Sequence, residues 1–386
     1  MANTLSDLTA DLYAALHVVS RELVGFIPAV SRNSSAERVA IGDTVRIPEA
    51  PAATAYDVTP SQLQADNGDN VFTNRTMTIS KERYVPIRWT GREQRSMNNG
   101  AGYANLRVQQ FAEAMRTLVN EIEADIASLY TQASVAQTPA GTNLFDAANY
   151  KDFAACIEML DNNGAPISDR HLVINSAAKR AILGNAQYVG ANTSGDQGML
   201  RQGVLLDHLG LDVRASAQVK NHTAGDAASA TTDNAGYSVG DTVLTLASAG
   251  TGAILAGDVI TITGDASATK YVVESGDADV SGGGTITLAA PGLKGDLSAA
   301  THAITVETST ARNMVFSRDA IQLATRIPDR PEEGDLAVDT MVITDDVSGL
   351  SFEVAMFFEN RRIKYEISAA WGQAVVNPKN LALLVD

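Results

Sequence analysis

The stretch Tyr103–Ala133, "YANLRVQQFAEAMRTLVNEIEADIASLYTQA", decides how the rest of the chain is read. Phe111, Met115, Leu118, Ile122, Ile126 and Leu129 recur at spacings of three and four, which puts them on one face of a helix. Glu113, Arg116, Asn120 and Glu123 fall on other faces, and no proline or glycine interrupts the run after Gly102. One helix of about 45 Å is expected, at about 1.5 Å per residue. So narrow an apolar stripe on so long a helix predicts a spine laid across a sheet. A two-stranded coiled coil would need heptads over more turns than the stretch holds.

Upstream, the segment "MANTLSDLTADLYAALHVVSRELVGFIP" places Leu5, Leu8, Leu12, Leu16, Val19 and Leu23 at the same helical spacing, with an end expected near Gly25 and Pro28. It has no basic leading region and carries Asp7, Asp11 and Glu22, so it is expected to be an amphipathic arm of a soluble, intracellular protein and not a secretory signal. No apolar run approaches the roughly 18 residues that span a bilayer. Next comes "DTVRIPEAPAATAYDVTP", a short strand running into a proline- and alanine-rich extended segment, read as arm and not as core. From Asp66 to Gly91 apolar and polar residues alternate, predicting two strands around "SKER" and hence a long, partly exposed β-hairpin. Unpaired hairpin edges invite aggregation unless a partner covers them.

That hairpin holds the chain's basic cluster, Arg75, Lys81, Arg83, Arg88, Arg92 and Arg95, interleaved with Tyr84 and Trp89. The aromatic residues fit base stacking. Charge pairing with another protein surface fits at least as well, because the arm before the cluster is acidic and the 386-residue chain sets 29 basic against 45 acidic residues, a net charge of −16. A protein so acidic repels polyphosphate as a whole, which argues against wrapping DNA along its length.

Beyond the spine, residues 149–220 alternate between helix and strand patterns. Within them, Leu172 to Ile174 reads as a strand followed by a helix capped at Asn175 or Ser176. Composition then breaks. Between Asn221 and Thr310 there is no Arg, Phe, Trp, Met, Gln or Cys, and short β-type runs such as "DTVLTL", "DVITIT" and "GTITLA" are separated by glycine-rich turns. After Thr310 the earlier composition returns. The economical account is a small all-β barrel or sandwich of about 90 residues inserted into a continuous α+β domain.

Signatures for phosphate cradles, nucleophile elbows and zinc proteases are absent from the sequence. His17, His171, His208, His222 and His302 lie far apart and none pairs with another at ligand spacing, so each is expected to be structural or exposed. "SDRHLVINS" gathers Ser168, Asp169, His171 and Ser176, but a catalytic triad needs convergence in space, and a strand start explains the stretch better. Asp258, Asp265, Asp277 and Asp279 do not meet a calcium-loop pattern and are expected to be solvated turn residues. The lone cysteine, Cys156, excludes an internal disulfide and is expected to be a small buried hydrophobe. No catalytic, cofactor-binding or metal-binding residue is therefore assigned.

The order of parts resembles the major capsid (coat) proteins of tailed double-stranded DNA bacteriophages, which have the Hong Kong 97 type fold. Within these it is most similar to the short-tailed-phage coat branch with an inserted β-barrel domain. The resemblance is carried by "SVGDTVLTL" and "LAGDVITITGDASATKYVV" in the insert, "TARNMVFSRDAIQLATRIP" after it, and the closing "IKYEISAAWGQAVVNPKNLALLV". It implies an α+β fold with an N-terminal arm (1–55), an extended β-hairpin loop (56–91), and a spine helix with part of the peripheral domain (92–148). It further implies an A-domain (149–220 plus 311–349), the inserted β-barrel (221–310) and a C-terminal β segment of the peripheral domain (350–386). The implied function is self-assembly, as hexamers and pentamers, into an icosahedral shell enclosing double-stranded DNA without sequence-specific contact. Scaffolding, portal and decoration proteins are the implied partners, with no membrane and no cofactor. The implied place is the virion, assembled in the host cytoplasm. Candidate assembly contacts are Asp7, Asp11, Glu22, Arg75, Arg83, Arg88 and Trp89. A β-rich surface-array or adhesin-type protein, or a hydrolase with a β accessory domain that depends on His171, are the competing readings.

Overall fold

The computed structural model describes residues 25–49, 73–98, 103–139, 143–146, 150–185, 207–331, 334–344 and 350–385, together with isolated positions between these segments. The expected spine forms as a helix over Tyr103–Ala127 that tightens into a 3-10 turn over Ser128–Gln132. Phe111, Met115, Leu118, Ile122 and Ile126 are at most 1 % exposed, and they form the centre of the largest apolar core. Glu123 departs from the polar face expected for it. It is buried, accepting hydrogen bonds from the Ile27 amide at 3.1 Å and the Ser216 hydroxyl at 2.7 Å.

The helix packs on a six-stranded sheet built around the long strand Arg362–Val375. That strand pairs antiparallel with Lys81–Thr90 along residues 362–371, with Ser351–Glu359 along 362–368, and with Ile321–Pro328 along 370–375. Ala337–Thr344 pairs with Ser351–Glu359, and Ser31–Val39 runs parallel to Ile321–Pro328. Phe111 meets Tyr365 edge-on at 5.5 Å, and the buried Trp371 donates its indole N–H to Asp125 at 2.8 Å.

A second, ten-stranded sheet contains, in order, Ile304–Val306, Val259–Ile262, Lys270–Ser275, Val135–Gln137, Leu381–Val385, Arg312–Ser317, Arg170–Ile174 and Leu211–Ala215. Every residue of Leu381–Val385 is buried, as an uninterrupted apolar run in a central strand requires. The helices Lys151–Asn162 and Ser176–Gly184 contribute to the core under this sheet. Asn175 caps the latter, its side-chain oxygen accepting from the Ala178 amide at 2.7 Å.

Residues 243–306 build a β module with its own apolar core. Val243–Leu246 and Gly284–Leu288 join it through Lys270–Ser275, and bridges from Thr231 to Ala303 and from Thr232 to Leu246 carry the sheet back on itself. The module is also continuous with the second sheet, because Lys270 and Tyr271 pair with Ala136 and Val135.

Several sequence expectations are corrected here. Thr73–Thr78 pairs with Thr44–Glu49, and Lys81–Thr90 enters the six-stranded sheet, so the hairpin is not formed around "SKER". One hairpin arm thus falls within the expected 1–55 arm. Phe26, Ile27, Ala29 and Val30, at 0–1 % exposure, also make the region after residue 24 part of the core. Of 311–349, only Arg312–Ser317 joins the second sheet, whereas Ile321–Pro328 and Ala337–Thr344 belong to the first. Leu381–Val385, expected in the peripheral segment, lies in the second sheet. For the two strands around "SKER" the local β pattern was right and the partner was not, because alternation does not name the strand across the ladder.

Candidate assembly surface

The hairpin of Thr44–Glu49 and Thr73–Thr78 pairs with no other strand among the described residues, so neither outer edge has a described partner. Its base is fastened by apolar packing and backbone bonds. Met77 and Ile79 bury against Ala324 and Ala370, the Ile79 amide donates to Asp43 at 2.8 Å, and the Ser80 amide to Trp371 at 3.1 Å. Gly372 allows this approach, since a Cβ there would lie 2.2 Å from the Thr78 carbonyl oxygen. Arg46 and Arg75 are exposed on the hairpin, with Arg75 opposite Ile47.

The basic cluster does not form one patch. Alternation along Lys81–Thr90 sends Val85, Ile87 and Trp89 inward and leaves Tyr84 and Arg88 exposed. On the inward side Lys81 pairs with Asp125 at 2.8 Å and Glu121 at 3.4 Å, and Arg83 pairs with Glu121 at 3.2 Å. Desolvation lowers the Lys81 pKa, but the hydrogen bonds and charges of Asp125 and Glu121 outweigh it and raise the ammonium above its ordinary value. Arg88 makes no ion pair among the described residues. Trp89, expected as a contact residue, is 6 % exposed and donates its indole N–H to Gln110 at 2.8 Å, so it is a core residue. Asp7, Asp11 and Glu22 lie outside the described residues.

The chemistry around the histidines is structural. His171 is buried, with Nδ1 3.0 Å from Asp212 and Nε2 3.3 Å from Arg318, so both ring nitrogens are engaged away from the exposed Ser168 and Ser176. The His171 hydrogen bond, followed by those and the charges of its neighbours, holds the Asp212 carboxyl below its ordinary range despite desolvation. Asp258 and Asp265, expected in solvent, are 0 % and 9 % exposed. Asp258 accepts from His222 Nε2 at 2.8 Å and from the Leu255 amide at 2.7 Å, while His222 Nδ1 lies 2.9 Å from the Tyr130 hydroxyl. Asp265 accepts from the Tyr271 hydroxyl at 2.6 Å and from Ser267. Burial raises the pKa of the Tyr271 hydroxyl, and it also pushes up that of the Cys156 thiol.

Sequence reasoning missed the His171–Asp212 and His222–Asp258 ties because their partners lie far along the chain, and it missed Asp265 because the turn's own Ser267 and Tyr271 enclose it. It also missed Glu353, 3 % exposed and flanked by Arg38 at 2.5 Å and Arg330 at 3.3 Å, and Arg312, 1 % exposed and bonded to Thr310 at 2.7 Å. Among the described residues no group of three His, Cys, Asp or Glu side chains could hold a metal ion, and no helix is long and apolar enough to cross a membrane.

No protein-family model matches the chain, and no curated protein does. Solved structures are similar in outline. One, described as Mycobacterium phage Che8, aligns at TM-score 0.47 and 13 % identity over 89 % of this chain and 84 % of its own. A second, described as the capsid structure of the Cyanophage P-SCSP1u, aligns at TM-score 0.49 and 10 % identity over 94 % and 88 %. A third, described as a virus-like particle from Pyrococcus furiosus, aligns at TM-score 0.45 and 9 % identity over 97 % and 98 %.

Proposed function

We propose that the chain is a structural major capsid protein, which assembles with copies of itself into the icosahedral shell of a tailed bacteriophage. The supporting observation is the placement of the hairpin. It stands on the face of the six-stranded sheet opposite the spine helix, with no strand paired to either outer edge among the described residues and with arginines exposed, in an order of elements that resembles the Hong Kong 97 type coat. Open edges on a folded chain call for a covering partner, and a neighbouring copy supplies one at every position of a closed lattice. In this reading residues 221–310, whose strands run from Val243 to Val306, are the inserted domain, and the second sheet is the core of the A-domain. The shell encloses double-stranded DNA without sequence-specific contact, consistent with a net charge of −16. Scaffolding, portal and decoration proteins are its further partners, and its place is the virion, assembled in the host cytoplasm.

The test is negative-stain microscopy and sedimentation of the expressed chain, alone and with a candidate scaffolding protein. Closed shells of uniform diameter are expected. A chain that remains a small soluble species under both conditions, across a range of protein and salt concentrations, would overturn the reading.

A further inference from the structure

A groove of about 1110 Å³ opens where the strand Lys81–Thr90 passes into the helix Gly91–Asn98 and meets the turn between Ser351–Glu359 and Arg362–Val375. Phe358 lines it at 48 % exposure, with the more buried Trp89 and Ile363 as further apolar walls. Arg92 and Arg361 also line the groove, both exposed, and neither makes an ion pair among the described residues. The other two charged lining residues, Arg362 and Glu359, neutralise each other. The groove is thus apolar and net positive.

The opposite chemistry stands on the β module, which holds ten acidic and two basic side chains between Asn221 and Thr310. A turn over residues 238–241 closes where the Asp241 amide donates to the Ser238 carbonyl at 3.1 Å, with Gly240 supplying the left-handed residue at φ 93°. It raises Val239 to 60 % exposure, and Val243, which opens the following strand, is 51 % exposed. Two carboxylates flank these valines. Asp241 accepts from the Ser238 amide and Asp296 from the Val239 amide, each at 2.8 Å, so consecutive amides hold both at the tip. Both carboxylates are exposed, and neither pairs with a cation among the described residues. The module's two lysines are placed elsewhere: Lys270 pairs with Glu307 at 2.6 Å, and Lys294 lines the cleft beside Val135 and Asn162.

We infer that the Val239 turn of one copy seats in the groove of a second copy, its valines against Phe358 and its two carboxylates against Arg92 and Arg361. Unpaired arginines and unpaired carboxylates are what charge-assisted recognition joins, and the apolar residues between them lose water together. The two surfaces differ, so the contact is heterologous: every copy offers one turn and one groove, and the contact runs from copy to copy. Exposed ion pairs contribute little singly, so one such contact is weak and repetition in a lattice strengthens it. The contact rests on the reading that copies of this chain assemble.

The test is disulfide cross-linking between two full-length chains, one of them tagged, each carrying one new cysteine and mixed under assembly conditions, with the same samples viewed by electron microscopy. Ser238→Cys lies beside Val239 and Asn360→Cys lines the groove, so the docking side chains stay intact. The control pairs Asn360→Cys with Ile167→Cys, where Ile167 is 85 % exposed before the strand Arg170–Ile174. The buried Cys156 takes no part. A yield roughly tenfold above the control is expected from the raised effective concentration of a docked turn. Arg92→Glu with Arg361→Glu should bring it down to the control. Asp241→Asn with Asp296→Asn should do the same, because it removes the charges and keeps the acceptors for the turn amides. A yield equal to the control, or one indifferent to either charge change, would overturn the contact. If shells form in those samples, the contact falls and the shell stands; a raised, charge-dependent yield without shells would sustain the contact and overturn the shell.

Discussion

Asp212 shows how one carboxylate joins distant parts of the second sheet. It lies on Leu211–Ala215, pairs with Arg214 at 2.7 Å, and accepts the hydrogen bond of His171 on the neighbouring strand. His171 in turn touches Arg318, so positive or potentially positive groups surround the carboxylate. Its folded pKa lies below the ordinary 3.8, which means that the folded state binds its proton less readily than the unfolded chain. The resulting stability is present above the unfolded value and is lost as pH falls through the folded one. Asp212→Asn should therefore flatten the decline of unfolding free energy below about pH 4. Urea titrations from pH 6 to pH 2 would show this, and an acid limb identical to the wild type would contradict it. The same pair removes His171 from the hydrolase reading, since its ring nitrogens hold a strand pair together.

At the scale of elements, the spine helix is the part on which the others are registered. Its apolar stripe covers the six-stranded sheet, Asp125 takes both the Lys81 ammonium and the Trp371 indole, and Glu123 holds Ile27 and Ser216. Glu123 thus ties three segments remote in sequence, and Gly25 must be glycine for the chain to pass it, since a Cβ there would lie 2.5 Å from the carboxylate. Glu123→Ala leaves a buried amide without its acceptor and should cost about 1–3 kcal/mol. Glu123→Gln keeps an acceptor and should cost less. Denaturant midpoints of the two variants would check the order, and equal losses would mean that packing, not the hydrogen bond, sets the cost.

At the scale of the molecule, two sheets meet along the spine, with a hairpin that has no paired strand among the described residues at one margin and a β module fused to the other sheet. The split of the basic cluster sharpens what assembly would use. Lys81 and Arg83 are committed to Glu121 and Asp125 within the subunit, whereas the exposed Arg88 makes no ion pair among the described residues. Arg88→Glu should lower the yield of shells while leaving circular dichroism and the unfolding midpoint unchanged. Deleting residues 1–23 should give a folded subunit that closes no shells. Normal shells from either variant in electron micrographs would show that neither surface is needed for assembly.

Sequence by itself determined those parts whose signal is local. The period of the apolar residues from Phe111 to Ile126 sufficed for the spine, the polar pair Asn175 and Ser176 for a helix start there, and the change of composition at Asn221 for the β module. A helix satisfies its backbone within itself, so its own residues report it. Tertiary structure alone decided which strands pair. Thr73–Thr78 joins Thr44–Glu49, and Leu381–Val385 lies between Val135–Gln137 and Arg312–Ser317, because a strand's partner is set by the sheet it completes. Of the candidate contacts, the exposure of Arg88 and the inward place of Trp89 follow from the alternation of Val85, Ile87 and Trp89, but the exposure of Arg75, which stands in phase with the buried Met77 and Ile79, and the pairing of Arg83 do not. The same holds for Glu123, Asp258 and Asp265: whether a carboxylate is solvated or buried depends on the donors that the fold brings to it, and most of theirs come from elsewhere in the chain.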